Sequence, residues 1–302
     1  MASTTIPGLH APPNHATSES MTRYWRENEW HDADFLPMSP TDRGLTHGLG
    51  LFETILAIDG SPALLDRHLA RMLASCDRLG WENPLPNNLR SAIISQLAAA
   101  KVDHGRARVR LAISAGSGQL AYPNIGSDHL VWITVSHTDD PPASITLCKA
   151  PFHHPNHSFL AGMKSASYAE NLLGLNHARQ RDFDDAVFLN EKNIICETTT
   201  SNIFGVMDNT LHYPPDDTGC LPGITRTLIV ELAEKNDIRT SATSLTESDL
   251  MAFDEVFITS AIRGPVRVSR YESTEYSQTT ITDKMREMWQ QAVTADAARH
   301  KA

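Results

Sequence analysis

The chain predicts a mixed α/β (α+β) protein of two domains, and three observations carry this. Strand-period and helix-period segments are interspersed through the whole chain, 302 residues exceed what one average domain needs, and a proline-paired segment near the middle interrupts both periods. Residues 21–136 form the expected smaller N-terminal domain, 137–143 the linker and 144–302 the larger C-terminal domain.

The elements follow in order. Residues 1–20, rich in Pro, His, Ser and Thr, lack the apolar core of a signal peptide and read as a disordered leader. In LLDRHLARMLASCDRLGW, Leu65, Leu69, Met72, Cys76 and Leu79 recur at three- and four-residue steps, the apolar face of a helix. A second helix is expected over about Leu89 to Ala100. The period then changes: in RARVRLAIS, Ala107, Val109, Leu111 and Ile113 alternate with Arg106, Arg108 and Arg110, a strand with guanidinium groups along one side. HLVWITVS reads as a further strand, and HTDDPPAS, from His137 to Ser144, cannot continue a helix or a central strand.

Beyond the linker, SITLCKA predicts a strand and SYAENLLGLNHARQR a helix. Two hairpins follow, AVFLN and NIICET around Glu191-Lys192, then NIFGVM and TLHY around Asp208-Asn209. LPGITRTLIVELAEKN runs from a Pro-Gly loop into a helix, Thr246 and Asp249 have capping-box spacing, EVFITS reads as a buried strand, and a helix near Asp283 to Ala298 closes the chain.

Composition excludes several classes. A formal charge of −10 removes the basic face that a nucleic-acid binder needs, and no stretch approaches the roughly 18 apolar residues of a membrane span. Cys76, Cys148, Cys196 and Cys220 have neither CxxC spacing nor a short disulfide framework, which fits reduced thiols in a cytoplasm. His153, His154 and His157 lie in a Pro-broken run without a carboxylate pair, which favours a loop over a zinc site. Small molecules are the expected partners.

Three segments can carry chemistry. Lys164, in AGMKSAS, stands just before a helix, where a pocket can strip its charge as an imine-forming amine requires, although most lysines are solvated surface charges. Glu197 follows the apolar run NIIC and precedes TTTSN. Two readings stand for it: a strand-end carboxylate capping the turn, or a carboxylate facing a pyridinium nitrogen. In LPGITR, Gly223 lets a ligand approach the backbone and the amides of Ile224 and Thr225 open a helix, which makes an anion site, though most such junctions simply start helices.

Six blocks, DRGLTHGLGLFETI (Asp42 to Ile55), LLDRHLARM, KSASYAENLL, ICETTTSNIF, GCLPGITR and FITSAIRG, in this order and spacing, closely resemble the class-IV aminotransferases, which include branched-chain and D-amino-acid aminotransferases and aminodeoxychorismate lyase. The resemblance covers roughly residues 35 to 270. It implies fold type IV, two α/β domains with pyridoxal 5′-phosphate at their junction, and a homodimer whose sites borrow residues across the interface. It further implies that Lys164 forms the Schiff base and Glu197 contacts the pyridine nitrogen. Arg71, Ile224 and Thr225 match the phosphate site, and Tyr168 falls beside the cofactor ring; Arg67 does not fall on the matching position. Ala261 stands where relatives often carry a phosphate-binding hydroxyl, which leaves Ser260 or a backbone amide to substitute.

Members of this family share proton removal from the substrate by the freed lysine and then diverge to transamination or to loss of a leaving group. The stretch from Lys164 to Leu173 is one residue shorter than the KxxxNYxxSLL of branched-chain enzymes, and AGSGQLAYPN, with Gln119, Leu120 and Tyr122, lacks the RxH carboxylate trap of D-amino-acid enzymes. SAIRGPV resembles the loop of the lyase group. The reading taken is transamination between a small amino acid or amine and a 2-oxo acid, with 4-amino-4-deoxychorismate lyase second and a catalytically silent cofactor binder as the alternative of another class. Arg108, Arg110 and Arg263 are the candidate carboxylate ligands, the first two against a solvated strand face. His47 and Glu53 are expected to line the pocket, against a packing or turn role.

Overall fold

The computed structural model describes residues 22–26, 28–33, 35–119 and 128–299. The leader at 1–20, and Leu120 and Tyr122, lie outside the described residues.

The first half of the chain builds a six-stranded sheet from β1 (Thr22–Arg26), β2 (Glu29–Ala33), β3 (Gly50–Ile58), β4 (Ser61–Pro62), β5 (Arg106–Ser114) and β6 (Val131–His137), in the order β2-β1-β6-β5-β3-β4. Helices α1 (Arg43–His47), α2 (Leu65–Arg78) and α3 (Leu89–Ala99) accompany it. Strands β3 and β5 pair antiparallel from Gly50↔Ser114 to Ile58↔Arg106. Period-two alternation sends Ala107, Val109, Leu111 and Ile113 into one core with Ile55, Met72, Cys76 and Ile93, and leaves Arg106, Arg108 and Arg110 on the opposite face. Helix α2 turns His68 inward as well as Leu65, Met72 and Cys76, while Leu69 and Leu79 are only partly buried. The inward face is thus more polar than apolar spacing alone predicts, because His68 reaches a buried carboxylate on β3, that of Glu53.

The second half builds a nine-stranded sheet: β7 (Ser144–Lys149), β8 (Asp185–Leu189), β9 (Ile195–Thr198), β10 (Asn202–Met207), β11 (Thr210–Tyr213), β12 (Arg239–Ala242), β13 (Glu255–Ser260), β14 (Gly264–Tyr271) and β15 (Thr274–Glu275). The order is β12-β11-β10-β13-β14-β7-β8-β9, with β15 paired to β14. Helices α4 (Ala169–Gln180), α5 (Ile224–Lys235), α6 (Glu247–Ala252) and α7 (Thr280–Arg299) belong to this half. Both expected hairpins form. Asp208 and Asn209 both adopt left-handed backbone, as a tight two-residue hairpin turn requires, and Thr246 and Asp249 make the reciprocal capping box of α6.

One hydrophobic cluster crosses between the halves. Leu56 and Ala63 of the first join Phe204, Ile229, Phe257, Met285 and Trp289 of the second. Arg106 adds a polar tie, donating from Nη2 to the Ile262 carbonyl at 2.5 Å. These contacts hold the outer end of β5 beside the β13–β14 turn, so side chains of both sheets face one cavity.

Candidate active site

A cavity of about 910 Å³ is lined by β3, α2 and β5 from the first half, and by the loop before α4, the β9–β10 turn, the start of α5 and the β13–β14 turn from the second. It brings together His47, Arg71, Arg108, Arg110, Lys164, Tyr168, Glu197, Ile224, Thr225, Ser260, Ala261 and Arg263.

The chain around Lys164 is fixed as an added edge on β3. Phe52 donates its amide to the Lys164 carbonyl at 3.0 Å, and Ala166 donates to Gly50 O at 2.8 Å. The side chain enters the cavity over aromatic faces, with Nζ 4.4 Å from the centroid of Phe52 and 5.5 Å from that of Tyr168. Phe52 and Tyr168 meet edge to face at 5.3 Å. Burial lowers the amine to about 8, against the pull of Glu53 in the other direction. A neutral, nucleophilic fraction is therefore present near neutral pH.

Glu197, on β9, faces the same cavity. Burial raises its carboxyl to about 7, opposed by a hydrogen bond from the Leu221 amide. Asn202 Nδ2 approaches the carboxylate at 3.3 Å and donates to the Leu221 carbonyl at 2.8 Å, so a single amide ties Glu197 to the loop that begins α5. Gly223 is required here by space, since a Cβ would stand 1.9 Å from Asn202 Oδ1. Gly223 caps α5 without a side-chain hydrogen bond, which leaves the first-turn amides of Ile224 and Thr225 uncapped where both residues line the cavity.

Arg71 reaches the cavity from α2. Of the five N–H groups of its guanidinium, Nε and Nη2 go to Glu53 at 2.8 and 2.6 Å and Nη1 to the Pro222 carbonyl at 3.1 Å. Two N–H groups remain. Glu53 does not line the cavity as expected: its side chain is 1% exposed and lies behind Arg71, with His68 Nδ1 at 2.7 Å. Burial alone would raise its carboxyl, but Arg71 and His68 outweigh that and hold it at about 2.

The other predicted residues take separate stations. Arg263 donates to Thr200 Oγ1 at 3.0 Å and Ser201 Oγ at 3.1 Å, and Ser260 Oγ accepts from the Arg263 amide at 3.3 Å. Arg110 lies 3.8 Å from the Phe52 centroid, on the opposite side of the strand from the core, and Arg108 donates to Ser136 Oγ at 3.1 Å. His47 is exposed at the mouth and pairs with Thr46 Oγ1. His153 contacts Asn193, while His154 stacks on Phe188 and lines the cavity.

Sequence reasoning missed His68, Asn202, Phe52 and Thr259. His68 stands three residues before Arg71, one helical turn away, and that spacing was a usable signal. Asn202 stands in the same ICETTTSNIF block as Glu197, five residues on. Thr259 stands in the FITSAIRG block with no role assigned to it there; its buried Oγ1 has no hydrogen-bond partner although the residue lines the cavity.

Taken together, an amine with a lowered pKa and a buried carboxylate face one cavity, with an uncapped helix start and an anchored arginine on its wall. Such a set is of the kind an enzyme site contains: a nucleophile, a carboxylate and potential anion donors around one cavity. The sequence profile of the amino-transferase class IV family matches residues 50–271, and the chain belongs to that family. It is 30% identical over 241 residues to a putative branched-chain-amino-acid aminotransferase of Methanocaldococcus jannaschii, covering 74% of this chain and 78% of that one. It is 27% identical over 247 residues to an aminodeoxychorismate lyase of Bacillus subtilis, covering 79% and 83%. Among solved structures it resembles the branched-chain aminotransferase of the archaeon Thermoproteus uzoniensis with norvaline, with a TM-score of 0.84 and 22% identity over 93% of this chain and 97% of that one. The expected family and fold are thus borne out. Among the described residues no helix is long and apolar enough to cross a membrane.

Proposed function

We propose that the protein is a pyridoxal-phosphate-dependent transaminase that moves an amino group between a small amino acid or amine and a 2-oxo acid. The observation that carries this reading is the pair formed by Lys164, lowered to about 8, and Glu197, raised to about 7, on one cavity. The residues present fit the cofactor. The uncapped amides of Ile224 and Thr225 and the two spare N–H groups of Arg71 suit a phosphate, the raised carboxyl of Glu197 suits a pyridinium, and the desolvated amine suits an aldehyde. When bound, pyridoxal phosphate supplies an electron sink for charge developed at the substrate α-carbon.

The chain's own residues supply the rest. Lys164 would hold the cofactor's carbonyl carbon through Nζ and would serve as the base for the substrate α-proton. Glu197 would pair with the ring nitrogen, and Asn202 Nδ2 would steady that carboxylate. Arg71, Ile224 and Thr225 hold the phosphate, with Ser260 and the backbone at Ala261 beside them in place of the hydroxyl that Ala261 lacks. Tyr168 flanks the ring. Arg263 takes a substrate carboxylate, with Arg108 and Arg110 near the mouth. We read 21–136 and 144–302 as the two domains joined by 137–143. We read the active form as a homodimer, because Phe159, Leu172 and Leu173 are 62%, 63% and 59% exposed and a second copy would cover them; a monomeric mass by light scattering would refute that part.

The second reading, a lyase releasing pyruvate and 4-aminobenzoate, is favoured by the similarity to the Bacillus subtilis lyase. One experiment separates the readings. The protein loaded with pyridoxal phosphate, yellow when the cofactor is held by a lysine, is mixed with L- and D-amino acids, R-amines and aminodeoxychorismate while that absorption band is followed and products are analysed. Transamination bleaches the band with one equivalent of keto acid; the lyase reaction releases pyruvate and aminobenzoate without bleaching. A protein inert to all of them sinks both readings in favour of a silent cofactor binder.

A further inference from the structure

We propose that Asp185, a buried carboxylate outside the cavity wall, is a positioning residue that holds Arg263 in place to receive the substrate carboxylate. The inference rests on the assignment of Arg263 given above.

Asp185 begins β8 and is 2% exposed. No cation lies within bonding reach of it among the described ion pairs; its partners are five neutral donors. Oδ1 accepts from the Ala186 amide at 2.8 Å, from the Thr199 amide at 3.2 Å and from Thr199 Oγ1. Oδ2 accepts from Thr198 Oγ1 at 3.0 Å and Thr200 Oγ1 at 3.4 Å. Three of these donors belong to the turn between β9 and β10 and a fourth to Thr198, the last residue of β9, so one carboxylate staples that turn from beneath.

The upper side of the same turn serves the cavity. Thr200 Oγ1 and Ser201 Oγ are the two acceptors of Arg263 Nη2. The Thr199 carbonyl accepts from Tyr168 Oη at 3.3 Å and from Asn171 Nδ2 at 2.8 Å. The hydroxyl of Thr200 therefore points its hydrogen toward Asp185 across a long 3.4 Å contact and accepts from Arg263 at 3.0 Å, a relay in which the charge below polarises the bond above. Burial draws the Arg263 guanidinium below the usual arginine value, and Asp185 is the first of the groups that oppose this. Asp185 thus compensates a desolvated guanidinium without occupying the face that a substrate carboxylate needs.

A role in folding alone and a role in positioning make different predictions. Asp185→Asn keeps Oδ1 for both backbone amides and, by placing an amide near Thr198 and Thr200, lets the Thr198 hydroxyl accept while it donates to Ser201 O at 3.1 Å. It removes the charge. Thr200→Val removes the relay and leaves the other four hydrogen bonds to Asp185. Arg263→Gln removes the ligand itself. Each is loaded with pyridoxal phosphate and titrated with 13C-acetate by NMR, with acetamide as the uncharged control. Cofactor retention and melting temperature are measured in parallel.

Asp185→Asn and Thr200→Val are expected to weaken acetate about tenfold, the scale of one charge-assisted hydrogen bond, and to leave acetamide and cofactor retention unchanged. Arg263→Gln is expected to abolish the acetate response. If Arg263→Gln abolishes it and both other variants bind acetate as the parent does, the inference is overturned and the Arg263 assignment stands. If Arg263→Gln itself binds acetate normally, the assignment fails and the inference with it. If Asp185→Asn loses cofactor, acetate and melting temperature together while Thr200→Val is normal, Asp185 is a folding residue and the inference is overturned.

Discussion

Glu53 grips Arg71 at two points, Oε1 to Nε at 2.8 Å and Oε2 to Nη2 at 2.6 Å, and the same Oε2 receives His68 Nδ1 at 2.7 Å. The carboxylate expected on the cavity wall is instead the anchor that aims a wall residue.

Glu53→Gln leaves Arg71 buried against a neutral amide. Breaking one partner of a buried pair costs about 3–5 kcal/mol, so a marked fall in melting temperature is expected, along with faster cofactor loss on dialysis. Arg71→Ala is expected to weaken cofactor retention chiefly; a defect confined to turnover at saturating cofactor would deny Arg71 its phosphate role.

The same carboxylate sets an acid limit. Its folded value, about 2, lies below the ordinary 4.5. The stability it contributes is therefore present above pH 4.5 and lost as the pH falls toward 2. Chemical denaturation across this window should show the parent losing stability on acidification more steeply than Glu53→Gln; parallel slopes would contradict the assignment.

Glu197 has the opposite sign. Its carboxyl is raised from 4.5 to about 7, so in the unloaded protein ionisation is a liability that grows as the pH rises from 4.5 to 7. Glu197→Gln should stabilise the unloaded protein at pH 8, by at most about 3 kcal/mol at 1.36 kcal/mol per unit, and slow the amino-acid half-reaction by orders of magnitude in the loaded one. A less stable variant with an unchanged half-reaction would reverse both conclusions.

For Lys164, lowered from 10.5 to about 8 by burial, the unfolded chain holds the proton more tightly, so the unloaded protein gains stability as the pH rises from 8 to 10.5. Titration of the 13C-dimethylated amine by NMR should give a midpoint near 8 and lose that resonance in Lys164→Met. A midpoint at the ordinary lysine value would mean that the amine is solvated.

Gly223→Ala should place a Cβ against Asn202 Oδ1, 1.9 Å away in the present geometry, and push the amide off both Glu197 and Leu221. Overpacking of this kind costs about 1–3 kcal/mol. The larger expected effect is on cofactor affinity, read by fluorescence titration. Affinity equal to the parent's would show that the tie between Glu197 and the α5 loop is dispensable.

Much of this was legible in the chain. Alternation in RARVRLAIS placed Arg108 and Arg110 off the core face, and the Gly-to-helix junction at 223 placed two amides. The family blocks named Lys164 and Glu197 as a pair. What escaped is instructive in physical terms. Periodicity sees apolar residues, so it placed Leu65, Met72 and Cys76 inward correctly but overlooked the inward His68, whose burial depends on a carboxylate fifteen positions earlier, on strand β3. For Glu53 the alternative of a packing role is the one that fits: its block does not say which way a buried ion pair with Arg71 and His68 will turn the side chain. Asp185, beside the similar Asp184, carries no local mark, because four of its five donors come from residues 198–200 and assemble only after the β9–β10 turn has closed.

Finally, Leu56 and Ala63 share their hydrophobic cluster with Phe257 and Trp289 across the two halves. Prising the halves apart would wet that seam, so any change in the spacing of the two cavity walls carries the cost of exposing apolar surface.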